Sequence, residues 1–180
     1  MVHAEAMAGC LPAGAGCVVD LGSGGGVPGL VLALTHPEAA FVLLDAGQRR
    51  CRFLREAVTA LGLEGRVTVV EGRAESAGRR ADLRERGDAV VARSFGPPAV
   101  TAECAVGLLR VGGVLVVSEP PGEQAAADRW PAEGVEALGF SGAEACGTAE
   151  GSFVRLTKLR TDERWPRRVG IPAKRPLWSG

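Results

Sequence analysis

A glycine-rich loop and two acidic residues are the part of this sequence best suited to chemistry. The loop, Asp20-Leu21-Gly22-Ser23-Gly24-Gly25-Gly26-Val27-Pro28-Gly29, lies between two apolar runs, and the acid Asp45 ends the next apolar run. Glycines let a backbone turn sharply and approach a ligand closely, and the N-terminus of a following helix offers free N–H groups. An acid at the end of the second strand is suited to bind ribose hydroxyls. The pattern therefore predicts a site for a nucleotide-like cofactor.

Two classes of cofactor fit this loop. The stretch from Gly24 to Gly29 matches G-x-G-x-x-G, which in dehydrogenases places a pyrophosphate at a helix N-terminus. The overlapping pattern Asp20-x-Gly22-x-Gly24-x-Gly26 resembles the first motif of class I S-adenosylmethionine-dependent methyltransferases. In that motif the acidic residue serves the amino-acid portion of the cofactor. Asp45 fits both interpretations, so the loop alone does not choose between them.

Short apolar runs that alternate with helical patterns must position these residues. Five nearly all-apolar runs predict the strands of a parallel sheet with helices on both faces: 17–21, 41–45, 67–71, 88–93 and 112–119. Helices are predicted after the glycine loop, over 48–63, from Pro97 onward, and somewhere between 123 and 138. Two later runs, 140–146 and 152–159, predict an antiparallel hairpin at one sheet edge. The predicted fold class is an α/β, Rossmann-like doubly wound sheet.

Composition excludes several other classes of protein. The chain has 180 residues, 46% of them hydrophobic and 23% charged, which fits one globular domain. No run approaches the roughly 18 apolar residues of a membrane span, and the N-terminus lacks a signal-peptide pattern. A cytoplasmic location without a membrane partner is therefore expected. The 5 cysteines are scattered and the only histidines are His3 and His36, so neither a metal site nor a Ser-His or Cys-His catalytic pair is predicted.

The net charge of zero hides a division along the chain. Residues 1–154 carry 13 Lys and Arg against 19 Asp and Glu, whereas residues 155–180 carry 8 against 2. Such a basic end either contacts phosphates or is simply solvated. Its proline and charge content predicts an extended segment without regular structure. We therefore expect a cofactor-binding domain over 1–159, with 160–180 as a basic tail packed on the same domain, and a monomer is favoured.

Several segments, taken in order, resemble the glucose-inhibited division protein B family. They are DLGSGGGVPGLVLAL, LLDAGQRRCRFLREAVTALGL, the turn Gly72-Arg73-Ala74-Glu75, VVARSFGPP and RWPRRVGIPAKRPL. Members of this family are bacterial methyltransferases that modify guanine N7 in small-subunit ribosomal RNA. The resemblance implies a class I methyltransferase fold, S-adenosylmethionine as cofactor, and ribosomal RNA or the small ribosomal subunit as partner.

The resemblance also assigns residues by position. Cofactor contacts are expected at Asp20, Gly22, Gly24, Val27, Asp45, Ala74, Glu75 and Arg93. Arg93 is in addition the candidate catalytic residue nearest the target base, and Phe95 either stacks on that base or packs into the sheet. Contacts with RNA phosphates are expected from Arg164, Arg167, Arg168, Lys174 and Arg175. Trp165 and Trp178 either stack on bases or anchor the tail to the body, and anchoring is favoured. Deleting residues 160–180 is therefore expected to abolish RNA binding but spare the cofactor.

Three features depart from the family pattern. The family normally has a helical extension before the first strand, where 16 residues precede Cys17 here. The usual Arg-Ala after strand four is Arg93-Ser94, and a usual Lys after strand five is replaced by Ser118-Glu119. The first and third departures remove surface expected to hold RNA. A methyltransferase of the same fold acting on a small molecule, a noncatalytic RNA-binding relative and a nicotinamide enzyme therefore remain as alternatives.

Overall fold

The computed structural model describes residues 2–120, 126–148 and 151–179, and its centre is a seven-stranded sheet. The strands are β1 (Cys17–Leu21), β2 (Ala40–Asp45), β3 (Val67–Glu71), β4 (Gly87–Ala92), β5 (Leu109–Ser118), β6 (Glu144–Thr148) and β7 (Gly151–Thr157). Their order is β3-β2-β1-β4-β5-β7-β6, and all neighbours are parallel except the pairs that include β7. The predicted parallel sheet with an antiparallel edge hairpin is confirmed. The strand order reverses between β1 and β4, which is where open α/β sheets bind ligands.

Helices cover both faces of this sheet. They are α1 (Val2–Ala8), α2 (Gly29–Thr35), α3 (Gln48–Ala60), α4 (Ala74–Ala77), α5 (Pro98–Val106), α6 (Ala126–Arg129), α7 (Ala132–Ala137) and α8 (Ile171–Lys174). The predicted polar helix between 123 and 138 is in fact two short helices, and its first residues, 123–125, lie outside the described residues. Helices α1 and α4 were not predicted. No helix in the described part of the chain is long and apolar enough to cross a bilayer.

Alternation along the strands separates two hydrophobic cores. Val19 and Val90 point to the face covered by α5, whereas Val18, Ala89 and Val91 point to the face covered by α2 and α3. Successive side chains of a strand point to opposite sides, so a strand covered on both faces is apolar at every position. This packing holds the carboxyl ends of β1 and β4 side by side.

The C-terminal segment is packed on the body rather than extended. The Trp165 side chain is only 9% exposed and belongs to the core beneath α5. The Arg167 guanidinium donates to both carboxylate oxygens of the fully buried Glu103, at 2.8 and 2.6 Å. The Trp178 indole N–H donates to the Arg129 carbonyl at 3.0 Å. The anchoring role of both tryptophans is confirmed, and the expectation of a segment without regular structure is wrong because α8 forms within it.

Candidate cofactor and acceptor site

A crevice runs across the carboxyl ends of the central strands and divides into three adjoining cavities. The inner cavity has a volume of about 260 Å³ and lies against β2 and α4. The middle cavity, of about 490 Å³, lies against the glycine loop. The outer cavity, of about 540 Å³, lies beyond the ends of β4 and β5. Phe95 lines all three, and Arg93 lines the middle and outer ones. The cavities are therefore neighbours at the point where the strand order reverses.

The glycine loop requires glycine where it meets Phe95. Gly22 has a φ of +74°, and a Cβ there would lie 2.6 Å from a ring carbon of Phe95. The Gly22 and Ser23 N–H groups donate to the Leu44 carbonyl at 2.8 and 3.0 Å, which fixes the loop against the end of β2. Gly22, Gly24 and Val27 line the middle cavity, as expected of residues beside a cofactor.

Asp45 forms the centre of the site. Its side chain accepts hydrogen bonds from the N–H groups of Gly47 at 2.7 Å and Gly24 at 2.9 Å, and from Arg50 Nε at 2.8 Å. Burial by itself raises the pKa of Asp45, but these donors outweigh it and hold the pKa below its usual value. The resulting carboxylate lines both the inner and the middle cavity. A carboxylate offers about four lone-pair sites, so these three donors leave about one that can accept a hydrogen bond from a ligand hydroxyl.

Ala74 and Glu75 line the inner cavity together with a residue of the C-terminal segment, Ala173. Glu75 Oε1 accepts hydrogen bonds from the Gly170 N–H at 2.9 Å and from the Arg73 guanidinium at 3.2 Å. Burial raises the pKa of Glu75, but these bonds outweigh it and leave the pKa below its usual value. The C-terminal segment is thus part of the cavity wall. The expectation that its removal would spare the cofactor site is therefore not supported by this geometry.

The structure places Asp20 differently from the expectation. Its side chain is 1% exposed, lines none of the three cavities, and accepts a hydrogen bond from the Gly29 N–H at 3.0 Å. Burial raises the pKa of Asp20 to about 7. A Cβ at position 29 would lie 2.5 Å from Asp20 Oδ2. Asp20 therefore holds the first turn of α2 against β1 and supports the loop from beneath.

The raised pKa of Asp20 predicts a pH dependence of stability. The unfolded chain ionises this carboxyl near pH 4, whereas the folded chain keeps the proton until about pH 7. The contribution of Asp20 to the free energy of unfolding is therefore fully present below pH 4. It declines between pH 4 and pH 7 and does not change further above pH 7. Chemical unfolding of the parent chain and Asp20→Asn from pH 5 to pH 8 should show this decline in the parent only. Parallel pH profiles would contradict the buried protonated carboxyl.

Arg93 is the first residue after β4 and faces both the middle and the outer cavity. Among the residues that the structure describes, no carboxylate pairs with its guanidinium. Ser94 follows with a φ of +55°, a left-handed conformation that is uncommon for a residue with a side chain. Such conformations cluster at functional sites. The turn presents an unpaired cation at the boundary of two cavities.

The outer cavity contains side chains that sequence reasoning did not assign to the site. His3 Nε2 lies 3.1 Å from Ser118 Oγ. Glu119 accepts hydrogen bonds from the Trp130 indole N–H at 3.1 Å and from Arg129 at 2.5 Å. In the sequence, the replacement of the family's usual Lys by Ser118-Glu119 was the one feature that could have pointed to this cavity. His3 gave no such indication, because packing of α1 brings it here from a distant part of the sequence.

The basic residues of the C-terminal segment divide into two groups. Arg167 is held internally by Glu103, and Arg164 pairs with the neighbouring Asp162 at 2.6 Å while remaining 74% exposed. Arg168, Lys174 and Arg175 are exposed, and none forms a side-chain ion pair within the described residues. An RNA contact from the Arg167 side chain is therefore not favoured, whereas the other four remain predicted contacts.

Comparison with known proteins agrees with this geometry. Residues 6–129 match the family GidB, rRNA small subunit methyltransferase G. The ribosomal RNA small subunit methyltransferase G of Rubrobacter xylanophilus is 41% identical over 179 residues, covering 92% of this chain and 67% of the relative. The protein of the same name from Moorella thermoacetica is 34% identical, covering 89% of this chain and 69% of the relative. The chain thus spans about two thirds of each relative.

Solved structures with a similar fold have lower sequence identity. The antibiotic-resistance methyltransferase Kmr superposes with a TM-score of 0.65 at 16% identity. The superposition covers 86% of this chain and 91% of the Kmr chain. The [4+2]-cyclase SpnF superposes with a TM-score of 0.66 at 18% identity. This superposition covers 88% of this chain and 80% of the SpnF chain. These likenesses confirm the fold class and not the reaction. On the family match and the identity to its relatives, the chain belongs to the GidB family, the rRNA small subunit methyltransferase G family.

Proposed function

We propose that this methyltransferase transfers a methyl group from S-adenosylmethionine to N7 of a guanine in small-subunit ribosomal RNA. The observation that carries the proposal is the middle cavity, which both Asp45 and Arg93 line. The names of the relatives supply the class of RNA. We further propose a cytoplasmic monomer in which residues 1–159 and 160–180 form one unit.

The residues of the inner and middle cavities fit S-adenosylmethionine. The Asp45 carboxylate suits a ribose hydroxyl, and the inner cavity offers the apolar side chains of Leu44, Ala74 and Val100 to a flat base. Gly22 and Gly24 let the loop pass close to the amino-acid portion. When bound, this cofactor supplies a methyl group on a positively charged sulfur, which needs no activation by the protein.

The protein's contribution is then to position the acceptor. Guanine N7 has a lone pair and no proton to lose, so the site requires no general base. Holding two reactants in line and close contributes several kcal/mol to lowering the barrier. Arg93 lines both the middle and the outer cavity, which supports a role as hydrogen-bond donor to the guanine O6 beside N7. Among the described residues that line the three cavities there is no cysteine, and the one histidine, His3, lies 3.1 Å from Ser118 Oγ.

Replacing Arg93 with alanine is expected to lower the rate of methyl transfer about 10- to 100-fold, the effect of one charged hydrogen bond in an orienting contact. Single-turnover transfer of a radiolabelled methyl group to small-subunit RNA measures this rate. Arg86→Ala removes an exposed guanidinium away from the crevice and is the matched control. An Arg93→Ala rate equal to that of the control would contradict the assignment.

The exposed basic residues are expected to contribute RNA affinity that depends on salt. Replacing Arg168, Lys174 and Arg175 together with alanine should reduce the slope of log affinity against log salt by about 2, since each phosphate contact contributes about 0.7 for single strands. Filter binding to small-subunit RNA at several salt concentrations measures the slope. A triple alanine variant at Arg52, Arg80 and Arg86, also exposed, should keep the parent slope. Equal slopes in the two triple variants would refute this RNA surface.

Nucleoside mass spectrometry of ribosomal RNA tests the proposed function directly. RNA from cells that lack the gene should lose one 7-methylguanosine per small subunit, and the purified protein should restore it. Unchanged ribosomal nucleosides, together with methyl transfer to an extract of small molecules, would favour the alternative substrate class.

A further inference from the structure

We propose that Glu119 recognises the Watson–Crick edge of the target guanine in the outer cavity and stabilises the charge that methylation creates on the base. The inference rests on the proposed function and concerns the acceptor rather than the cofactor. It assigns a substrate-contacting role to a residue at a position where the family resemblance led us to expect a different charge.

The position of Glu119 follows from the sheet. Strands β4 and β5 are parallel with Ala92 beside Val117, so the residues after them, Arg93 and Ser118, emerge on neighbouring strands. The Glu119 N–H donates to the Ser152 carbonyl at 2.9 Å, which fixes the backbone at the end of β5. Arg93 and Glu119 line the same outer cavity, with Arg93 also reaching the middle one. A base in the outer cavity therefore meets both a guanidinium and a carboxylate.

The Glu119 carboxylate is held in place while keeping capacity to bind. Its Oε1 accepts from the buried Trp130 indole N–H, and its Oε2 accepts from Arg129. The side chain is 11% exposed. A carboxylate offers about four lone-pair sites, so two remain after these bonds. The oxygens are thus a preorganised pair of acceptors in the wall of a cavity.

The two remaining acceptor sites match guanine. Its Watson–Crick edge carries two neighbouring donors, N1–H and the N2 amino group, whereas adenine carries an acceptor at N1. Enzymes that act on extruded bases read them by hydrogen bonds to this edge. A carboxylate thus selects guanine over adenine, although both bases have an N7 lone pair. Arg93, a donor, suits the O6 acceptor, which lies between N1–H and N7.

The reaction adds a reason for negative charge at this position. In the transfer the N7 lone pair forms a bond to the methyl carbon as the sulfur–carbon bond breaks with its electrons going to sulfur. The positive charge therefore moves from sulfur to the purine. That charge is shared by the ring and makes N1–H a stronger donor to a carboxylate. The contact is stronger after charge has moved than before, which is the condition for accelerating a step.

Of the charged and titratable side chains that line the outer cavity, Glu119 is the one suited to accept hydrogen bonds from the base. His3 is engaged with Ser118 Oγ and packs edge-on against Phe153, with ring centroids 5.0 Å apart. Arg129, which also lines this cavity, forms an ion pair with Glu119. Among the described residues that line the outer cavity, Glu119 is the one carboxylate.

The test removes the N2 amino group from the target base of the substrate RNA. Small-subunit RNA is assembled by ligation with guanosine or inosine at the methylated position; inosine keeps N7, O6 and N1–H and lacks only the N2 amino group. Two quantities are measured: RNA affinity with S-adenosylhomocysteine present, where no turnover occurs, and the single-turnover methylation rate. The parent chain should bind and methylate inosine RNA about 10-fold less well.

Variants then separate recognition from folding. Glu119→Gln should lower the rate on guanosine RNA about 10-fold or more, and its guanosine-to-inosine ratio should fall toward one. Glu133→Gln, on the exposed side of α7, should keep the parent ratio. Thermal unfolding and affinity for S-adenosylhomocysteine monitor the fold of both variants.

Two results would overturn the inference alone: equal affinity and rate on guanosine and inosine RNA in the active parent chain, which requires no variant, or an unchanged ratio in Glu119→Gln. Absence of N7 methylation by the parent on guanosine RNA would instead overturn the proposed function, and the inference with it.

Discussion

Alanine at position 45 is expected to weaken binding of S-adenosylhomocysteine by about 100-fold or more. A ribose hydroxyl that donates to the carboxylate contributes a charged hydrogen bond of about 1.5–3 kcal/mol. The substitution also leaves the Gly24 and Gly47 N–H groups without their acceptor, so the loop and the start of α3 lose their shared anchor. Isothermal titration measures the affinity, and thermal unfolding measures the cost to the fold.

Two further variants make the Asp45 result interpretable. Asp82→Ala removes an exposed aspartate that pairs with Arg80 and should leave the affinity unchanged. Asp45→Asn keeps the size of the side chain but turns an amide N–H₂ toward existing donors, so it should also lose most of the affinity. Parent-like affinity in both Asp45 variants would remove the central contact of the proposed site.

Deletion of residues 160–180 is expected to abolish both cofactor binding and the cooperative unfolding transition. Loss of the buried Trp165 costs about 3–5 kcal/mol. Removing Arg167 leaves Glu103 as a buried charge without its partner, which costs a further 3–5 kcal/mol. The total approaches the 5–15 kcal/mol that stabilises a typical domain. The inner cavity also loses Ala173 and the Gly170 N–H that holds Glu75.

Calorimetry and titration with S-adenosylhomocysteine test this prediction. The triple alanine variant at Arg168, Lys174 and Arg175 provides the comparison, because it removes charge from the same segment while leaving its buried contacts intact. That variant should unfold near the parent temperature and bind S-adenosylhomocysteine normally. A deleted chain with full affinity would show that the tail is separable from the domain.

The architecture of the sheet was predictable because it depends on local patterns. Apolar runs such as Cys17–Leu21 and 41–45 are short, continuous and separated by helical periodicity, and a chain of this kind has few ways to bury them. The helix α3 was predictable for the same reason, since Cys51, Leu54 and Val58 recur on one face. Helix α1 carries only weak signals of its own, and its place depends on packing against the distant strand β7.

At the site, the sequence identified residue types better than residue roles. The prediction that Asp45 and the glycine loop face a cavity agrees with the structure, because strand ends and turn glycines are readable from local order. Asp20 was expected beside the cofactor, yet its carboxyl turns into the core toward Gly29. Which way a side chain at a strand end points depends on what packs against it, and this is not local information.

The sequence by itself determined the order of strands and helices, the glycine loop with its acid, the family and the basic character of the C-terminal segment. Only the tertiary structure showed that this segment forms a wall of the cofactor cavity and that Arg167 forms an ion pair with the buried Glu103. It also showed that His3 and Glu119 line the same outer cavity. The physical reason is the range of the interactions. Strand and turn preferences act over a few neighbouring residues, whereas a cavity is made by side chains that only the folded chain brings together.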